Sequence, residues 1–181
     1  MYQHLQRPSH EYVDLGLPSG TKWATMNVGA TSVTDYGNYY QYGKGAATYQ
    51  ETSGDTDYSG TETPLAASAD TAVQEWGGSW HMPTKAQFNE LTANTTYQWV
   101  TNYQNSNING ATFTANGQTL FIPAAGNYSV GEPYDVGTAA ILWSSSPYDS
   151  TYAHQAFFFG SEKGVGKNRR KWGYPVRPVL D

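Results

Sequence analysis

Cysteine is absent from this 181-residue chain. That excludes disulfide frameworks, zinc–thiolate sites and thiol nucleophiles. Charge is also sparse, at 14% of residues, against roughly 25% in an average soluble protein. What charge there is leans acidic: 15 Asp and Glu against 10 Lys and Arg give a net charge of -5. This argues against non-specific binding of nucleic acid or anionic membranes by the domain as a whole. No apolar run approaches the length of a bilayer-spanning helix, so no membrane insertion is expected. The opening MYQHLQRPSH lacks the apolar stretch of a secretory leader.

Where charge is scarce, rings are abundant. Aromatics make up 15% of the chain, with 15 Tyr and 6 Trp. Tyr and Trp give large, rigid contact area at low entropic cost and keep one polar atom each. Two uses fit: an aromatic contact surface, or a Tyr-rich core between exposed strands. The length suits one domain over residues 1–181 with a sizeable core.

Dense Gly, Thr, Asn and Tyr, with short apolar runs such as TLFIPAAG and AILWSSS, predict many short strands joined by turns. Helix is the minority. MPTKAQFNELTAN predicts one helix, with Thr84 and Gln87 as a capping box and Phe88 and Leu91 as its apolar face. DTAVQEWGG predicts a shorter one, capped by Asp70 and stopped at Gly77. A third is read over DYGNYYQYG. Residues 43–68, rich in Gly, Ser, Thr and Ala, read as a long surface loop or a disordered insertion. No fixed-period repeat is visible, which excludes a solenoid or propeller.

Catalytic and metal signatures are thin. His4, His10, His81 and His154 have neither the spacing of an HExxH helix nor that of a finger-type site. No GxSxG elbow, phosphate loop or dinucleotide fingerprint occurs, and GVGKNR at Gly164 has the wrong spacing for one. Glu132 with Asp135, or Glu51, Asp55 and Asp57, read as solvated loop acids or, alternatively, as an acid–base or calcium pair. The charge asymmetry is more informative. Lys163, Lys167, Arg169, Arg170, Lys171 and Arg177 gather at the carboxy-terminal end, interleaved with Phe157, Phe158, Phe159, Trp172 and Tyr174. Such a mixture offers cation–π and stacking contacts to an anionic partner. Strand alternation also requires part of this aromatic set to face a core.

Four ordered blocks, VDLGLPSGTKWATMNVGA, WGGSWHMPTKAQFNEL, LFIPAAGNY and LWSSSP with YPVRPV, together resemble the family named after the Fibrobacter succinogenes major paralogous domain. The match runs from Tyr12 to Val179. It implies an α+β, C-type-lectin-like fold of the formylglycine-generating-enzyme type, with short strands, about two helices and long irregular loops. By that resemblance an opening strand near Tyr12 to Leu15 would pair with a closing strand at Val176 to Leu180, and Trp23 and Trp143 would fill the core. Two departures stand out. Met26 occupies a position that is often Cys in the family, and GEPY at Gly131 to Tyr134 stops short of the lectin calcium tripeptide. Neither cysteine catalysis nor calcium-dependent sugar binding is therefore expected.

Residues 141–177 also resemble the variable regions of proteins diversified by retroelements. That likeness implies display positions at Tyr152, His154, Phe157, Phe159, Gly164, Gly166, Lys167, Asn168, Arg169, Lys171 and Trp172, with Ser144, Ser145, Pro147, Gly173, Val176 and Arg177 as scaffold. The expected function is a ligand- or receptor-binding module for a protein or glycan receptor, on a bacterial cell surface or phage virion. No catalytic residue, metal or cofactor is expected. The competing readings are a structural or assembly domain whose aromatic face packs on copies of itself or a neighbouring domain, and an enzyme working through His81, His154 or the loop acids.

Overall fold

Small antiparallel sheets and two helices build the structure, a computed structural model that describes residues 10–50 and 58–181. In chain order the elements are β1 (Tyr12–Val13), β2 (Lys22–Ala24), α1 (Thr71–Trp76), α2 (Lys85–Ala93), β3 (Thr96–Val100), β4 (Gly110–Ala115) and β5 (Gln118–Pro123). There follow β6 (Asn127–Ser129), β7 (Glu132–Tyr134), β8 (Ala140–Pro147), β9 (Tyr152–Phe159), β10 (Glu162–Arg169) and β11 (Val179–Leu180). The class is α+β. The sheets run β1-β2-β11, β3-β4-β5, β6-β7 and β10-β9-β8. Among the described residues no helix is long and apolar enough to cross a membrane.

Both strongly signalled helices form for the local reasons their sequences carry. The Asp70 carboxylate accepts the Val73 amide at the start of α1, and Gly77 ends the helix with φ 67°. At α2 the Gln87 amide donates to Thr84 Oγ1 at 3.1 Å, while Gln87 Oε1 accepts the Thr84 amide at 3.0 Å. Phe88 and Leu91 of α2 are buried. The third helix does not form. Residues 35–41 form no helix and residues 42–43 turn, because the hydrogen bonds of this stretch go across rather than along the chain: the amide of Tyr40 donates to Tyr174 and that of Tyr42 to Arg170. Tyr40 and Tyr42, two apart, both turn inward, the period of a strand and not of a helix. Residues 43–50 and 58–68 hold no helix and no named strand.

The termini do meet in one sheet, but not as neighbours. After β1 the chain turns through Gly16 and Gly20, both at positive φ, and β2 pairs with β1 directly. The free edge of β2 then receives β11, with Val179 opposite Trp23. Local pairing thus fills the position that a direct β1–β11 contact would have needed.

Two cores result. The first packs Trp23, Phe88, Leu91, Phe113, Leu142, Ala156 and Phe158 between α2 and the inner faces of the β3-β4-β5 and β10-β9-β8 sheets. The second gathers Tyr40, Tyr42, Met82, Trp143, Ala153, Tyr174 and Val176. Full burial of each large side chain contributes about 1.5–3 kcal/mol. Part of the tyrosine content is thus structural. Burial pushes the phenols of Tyr39, Tyr42 and Tyr174 well above the ordinary tyrosine range.

A pH dependence follows. A phenol whose folded pKa is raised contributes stability that is complete below its unfolded pKa of about 10 and is lost as pH climbs above it. Denaturant midpoints are expected to stay level from neutrality to about pH 9 and to fall beyond about pH 10, with tyrosinate absorbance of these three rings appearing only as the chain unfolds. A tyrosinate signal that titrates fully near pH 10 with the fold intact would contradict their burial.

Candidate functional site

The β10-β9-β8 sheet carries most of the predicted display positions, and its register decides where each one points. Directly opposed residues share a face, and successive residues alternate between faces. The pairs Phe158/Lys163, Ala156/Val165, His154/Lys167 and Tyr152/Arg169 lie on one face. The pairs Phe159/Glu162, Phe157/Gly164, Gln155/Gly166 and Ala153/Asn168 lie on the other. Phe158 and Ala156 belong to the first core, so the former face is the inner one.

The predicted set is therefore split. Tyr152, His154, Lys167 and Arg169 continue the inner face past the end of the core. There Lys167 Nζ stands 3.6 Å from the centroid of the Tyr148 ring and 5.6 Å from that of Tyr152. Arg169 lies over Tyr152 at 5.8 Å, and Tyr148 meets His154 edge-on at 5.5 Å. Desolvation lowers the His154 pKa, with Lys85 and Lys167 acting in the same direction, against a hydrogen bond between its Nδ1 and the Gly166 carbonyl.

Phe157, Phe159, Gly164, Gly166 and Asn168 occupy the outer face. A Cβ on Gly164 would come within 3.1 Å of the Phe157 ring, and one on Gly166 within 3.3 Å of Gln155 Nε2. The two glycines lower the floor on which Phe157 rests. Phe157 and Phe159 lie 5.7 Å apart, and Phe159 is 44% exposed. Asn168 is half-buried. Half-buried Trp172 packs on the second core, and half-buried Lys171 has its carbonyl held by Gln41 Nε2 at 2.8 Å. Gln155 is buried, and its Oε1 has no hydrogen-bond partner among the described residues.

The basic cluster expected for an anionic partner loses two members to the interior. Arg170 is 2% exposed and donates to the carbonyls of Tyr58, Gly60, Tyr152 and Asp149. Arg177 is fully buried and donates to Asn27 Oδ1 at 2.8 Å and to the carbonyls of Ala24 and Phe121 at 3.1 and 2.9 Å. Burial lowers the Arg177 pKa to about 9, which leaves it protonated at neutral pH. The other scaffold positions, Ser144, Ser145, Gly173 and Val176, are buried, and Pro147 is half-buried.

Sequence reasoning overlooked the β6–β7 ribbon. The Tyr128 and Gly173 amides each donate to the other's carbonyl at 2.9 Å, which sets the ribbon beside Trp172. Val130, Tyr134 and Val136, three of the exposed large apolar residues, lie on or beside it. The signal was present in NYSVGEPY, a hairpin whose tip, Val130 and Gly131, sits at positive φ, the geometry of a tight two-residue turn.

Elsewhere, His81 Nε2 lies 2.9 Å from Asp181 Oδ1 and its Nδ1 lies 2.8 Å from the Met82 carbonyl. These groups line a groove of 480 Å³ with Asp70, Thr84 and Gln87. Thr84 is engaged in the capping box. Glu132 and Asp135 are exposed; His4, Glu51, Asp55 and Asp57 lie outside the described residues. Among the described residues no three His, Asp or Glu side chains are placed to hold a metal ion. Compared with known proteins, the chain matches no protein-family model, no curated protein and no solved structure.

The cations divide into structural and exposed groups with different consequences. Arg170→Ala or Arg177→Ala removes a donor set from buried carbonyls, where hydrogen bonds to a charged group are worth about 1.5–3 kcal/mol each. Each is expected to lower Tm by about 6–12 °C or more for a domain of this size. Lys163→Ala, at an exposed position, is expected to change stability by less than about 0.5 kcal/mol. Thermal melts of the three variants check this, and an Arg177→Ala protein as stable as its parent would contradict the interior assignment.

Proposed function

We propose that this chain is a binding module of C-type-lectin-like fold, related to the Fibrobacter succinogenes major paralogous domain family, that presents the outer face of its β8–β9–β10 sheet to a receptor outside the cell, on a bacterial surface or phage virion. The carrying observation is the Phe157 ring held over Gly164 and Gly166, with Phe159 beside it, on a face whose reverse side is packed core. Rigid aromatic anchors over a flat floor are the features that concentrate binding energy at interfaces. The scaffold beneath is rigid, so exposed residues tolerate exchange at little cost to stability. That tolerance is what a retroelement-diversified region would need, and the resemblance of residues 141–177 to such regions supports the same reading. The Tyr148, Tyr152, His154, Lys167 and Arg169 cluster lies on the opposite face and contributes less.

The reading can be tested by immobilising the chain, screening bacterial surface proteins and glycans, and measuring any partner against face-specific variants. Phe157→Ser with Phe159→Ala is expected to weaken binding by about 30-fold or more, about 2 kcal/mol, while moving Tm by less than about 4 °C. Tyr152→Ala with Lys167→Ala is expected to weaken it by less than about threefold. A partner that survives the first pair and is lost with the second would overturn the assignment to the outer face. In the genome, a near-copy of the codons for residues 141–177, differing mainly at adenines and lying beside a reverse transcriptase gene, is the expected mark of diversification. Sequencing that locus and finding no such copy would leave a module of fixed specificity.

A further inference from the structure

Next to the outer face is a pocket of 240 Å³ lined by Asn127, Ser129, Tyr134, Asp135 and Trp172. From it we infer that the β6–β7 ribbon and Trp172 form a subsite for one ring of a neutral saccharide. The inference rests on the reading of the outer face as a ligand surface, to which Trp172 belongs, and adds the class of ligand that surface takes.

Register brings the lining together. Asn127 and Tyr134 are directly opposed across the ribbon, with Ser129 opposite Glu132. Opposed residues share a face and alternate residues return to it, so Asn127, Ser129 and Tyr134 point the same way. Tyr128 points the other way and lines a separate cavity with Tyr39 and Tyr49. Gly126 lets the two strands close on each other. It sits at φ 60°, and a Cβ there would stand 2.1 Å from the Tyr134 carbonyl, a contact no other residue can make.

Asp135 is fixed at the end of the ribbon at φ 57°, a conformation that Asp tolerates better than most residues. Its carbonyl accepts the amides of Thr138 and Ala139, both at 3.0 Å, and the Thr138 hydroxyl at 3.1 Å. The backbone is thereby held while the carboxylate stays exposed. Trp172 is anchored by the second core, and Tyr134 is 50% exposed.

Asn127 is the observation that points to a ligand. It is only 6% exposed, lines the pocket, and its amide makes no hydrogen bond to another group among the described residues. An amide offers two donors and a two-lone-pair acceptor, and this one faces the solvent of the pocket, where water is its partner until a ligand replaces it. A ligand bearing hydroxyls would reproduce the hydrogen bonds that water makes there. The lining holds two rings, an amide, a hydroxyl and one carboxylate, with no cation. Aromatic faces suit the C–H face of a pyranose, while planar amide and carboxylate groups suit adjacent hydroxyls that donate and accept together. The absence of a lining cation selects against acidic sugars. The volume falls below the roughly 300–1,000 Å³ of sites that enclose drug-sized ligands, which fits a single ring better than an extended peptide.

The test is a titration of the isotope-labelled whole chain with glucose, galactose, mannose and N-acetylglucosamine, followed by NMR at the Trp172 indole and the Asn127 side-chain amide. At least one sugar is expected to shift both signals saturably, with Kd in the millimolar range. Asp135→Asn, which keeps the backbone geometry, is expected to weaken it about tenfold, and Trp172→Ala to abolish it. Should Trp172→Ala disturb the fold, Asp135→Asn alone decides. The inference is overturned if no sugar in the panel moves these signals, if the shifts fall elsewhere, or if Asp135→Asn leaves the affinity unchanged. A macromolecular partner that still depends on Phe157 and Phe159 would in those cases leave the ligand face standing without this subsite.

Discussion

The contact on which most of this structure depends is that of the Trp143 indole with the chain crossing it. Trp143 is fully buried, donates from Nε1 to the Tyr40 carbonyl at 2.8 Å, and meets Tyr174 and Tyr42 edge-on at 4.4 and 5.5 Å. Tyr40 and Tyr174 in turn exchange backbone hydrogen bonds at 2.9 and 3.0 Å. Together these contacts lay residues 170–175 across the outer side of the β8–β9–β10 sheet and cover the part nearest Trp143. The part carrying Phe157, Phe159, Gly164 and Gly166 stays open. The same crossing places Gly173 against Tyr128, and so seats the β6–β7 ribbon beside the open part. A smaller residue at 143 would leave a cavity behind both, at a cost of about 3–5 kcal/mol for Trp→Ala.

A fold with this much irregular backbone must satisfy many carbonyls that no ladder reaches. Two of its ten basic residues do that from inside. Arg170 gathers four carbonyls from residues 58, 60, 149 and 152, which ties the loop before α1 to the open end of the β9–β10 hairpin. Arg177 joins β2, Asn27 and the end of β5 behind the closing strand. Guanidinium presents five donors in a rigid fork, which suits the four carbonyls around Arg170, whereas Arg177 makes three bonds and its Nη2 has no partner among the described residues. The cost is a charge in the interior, visible in the depressed pKa of Arg177.

How much of this was legible in the sequence depends on how local the cause is. Asp70, Thr84, Gln87 and Gly77 act within their own turn, and both helices were readable from them. The apolar runs of β5 and β8 were readable for the same reason, as was the burial of Trp23 and Trp143 from the family resemblance. DYGNYYQYG misled because its hydrogen-bond partners lie more than a hundred residues away, although the two-residue spacing of Tyr40 and Tyr42 was in plain view. The basic cluster misled likewise: nothing near Arg170 or Arg177 announces that distant carbonyls will enclose it. The display set was half legible. Nine of its eleven residues lie on β9 and β10, with Lys171 and Trp172 beyond them, but odd and even positions were taken together, and only the register separates them. Asp135 was read as a solvated loop acid, and Asn127 and Tyr134 were given no ligand role, because the pocket exists only once Gly173 docks on Tyr128.

Separation by register also constrains what a ligand can do. A flat partner on the outer face reaches Phe157, Phe159 and Trp172 but not Lys167 or Arg169, unless it wraps around β10, the edge strand of its sheet. That edge carries Glu162, Lys163, Lys167 and Arg169, and charged side chains on an edge strand discourage another strand from pairing with it. Recognition by strand addition is thereby disfavoured, which fits the proposal that the outer face is the ligand surface. Its chemistry grades from apolar at Phe157 and Phe159 to polar at Asn127 and Asp135. In the proposed reading an apolar anchor region would supply affinity, and the polar end, where the Asn127 amide and the Asp135 carboxylate face the pocket, would supply discrimination.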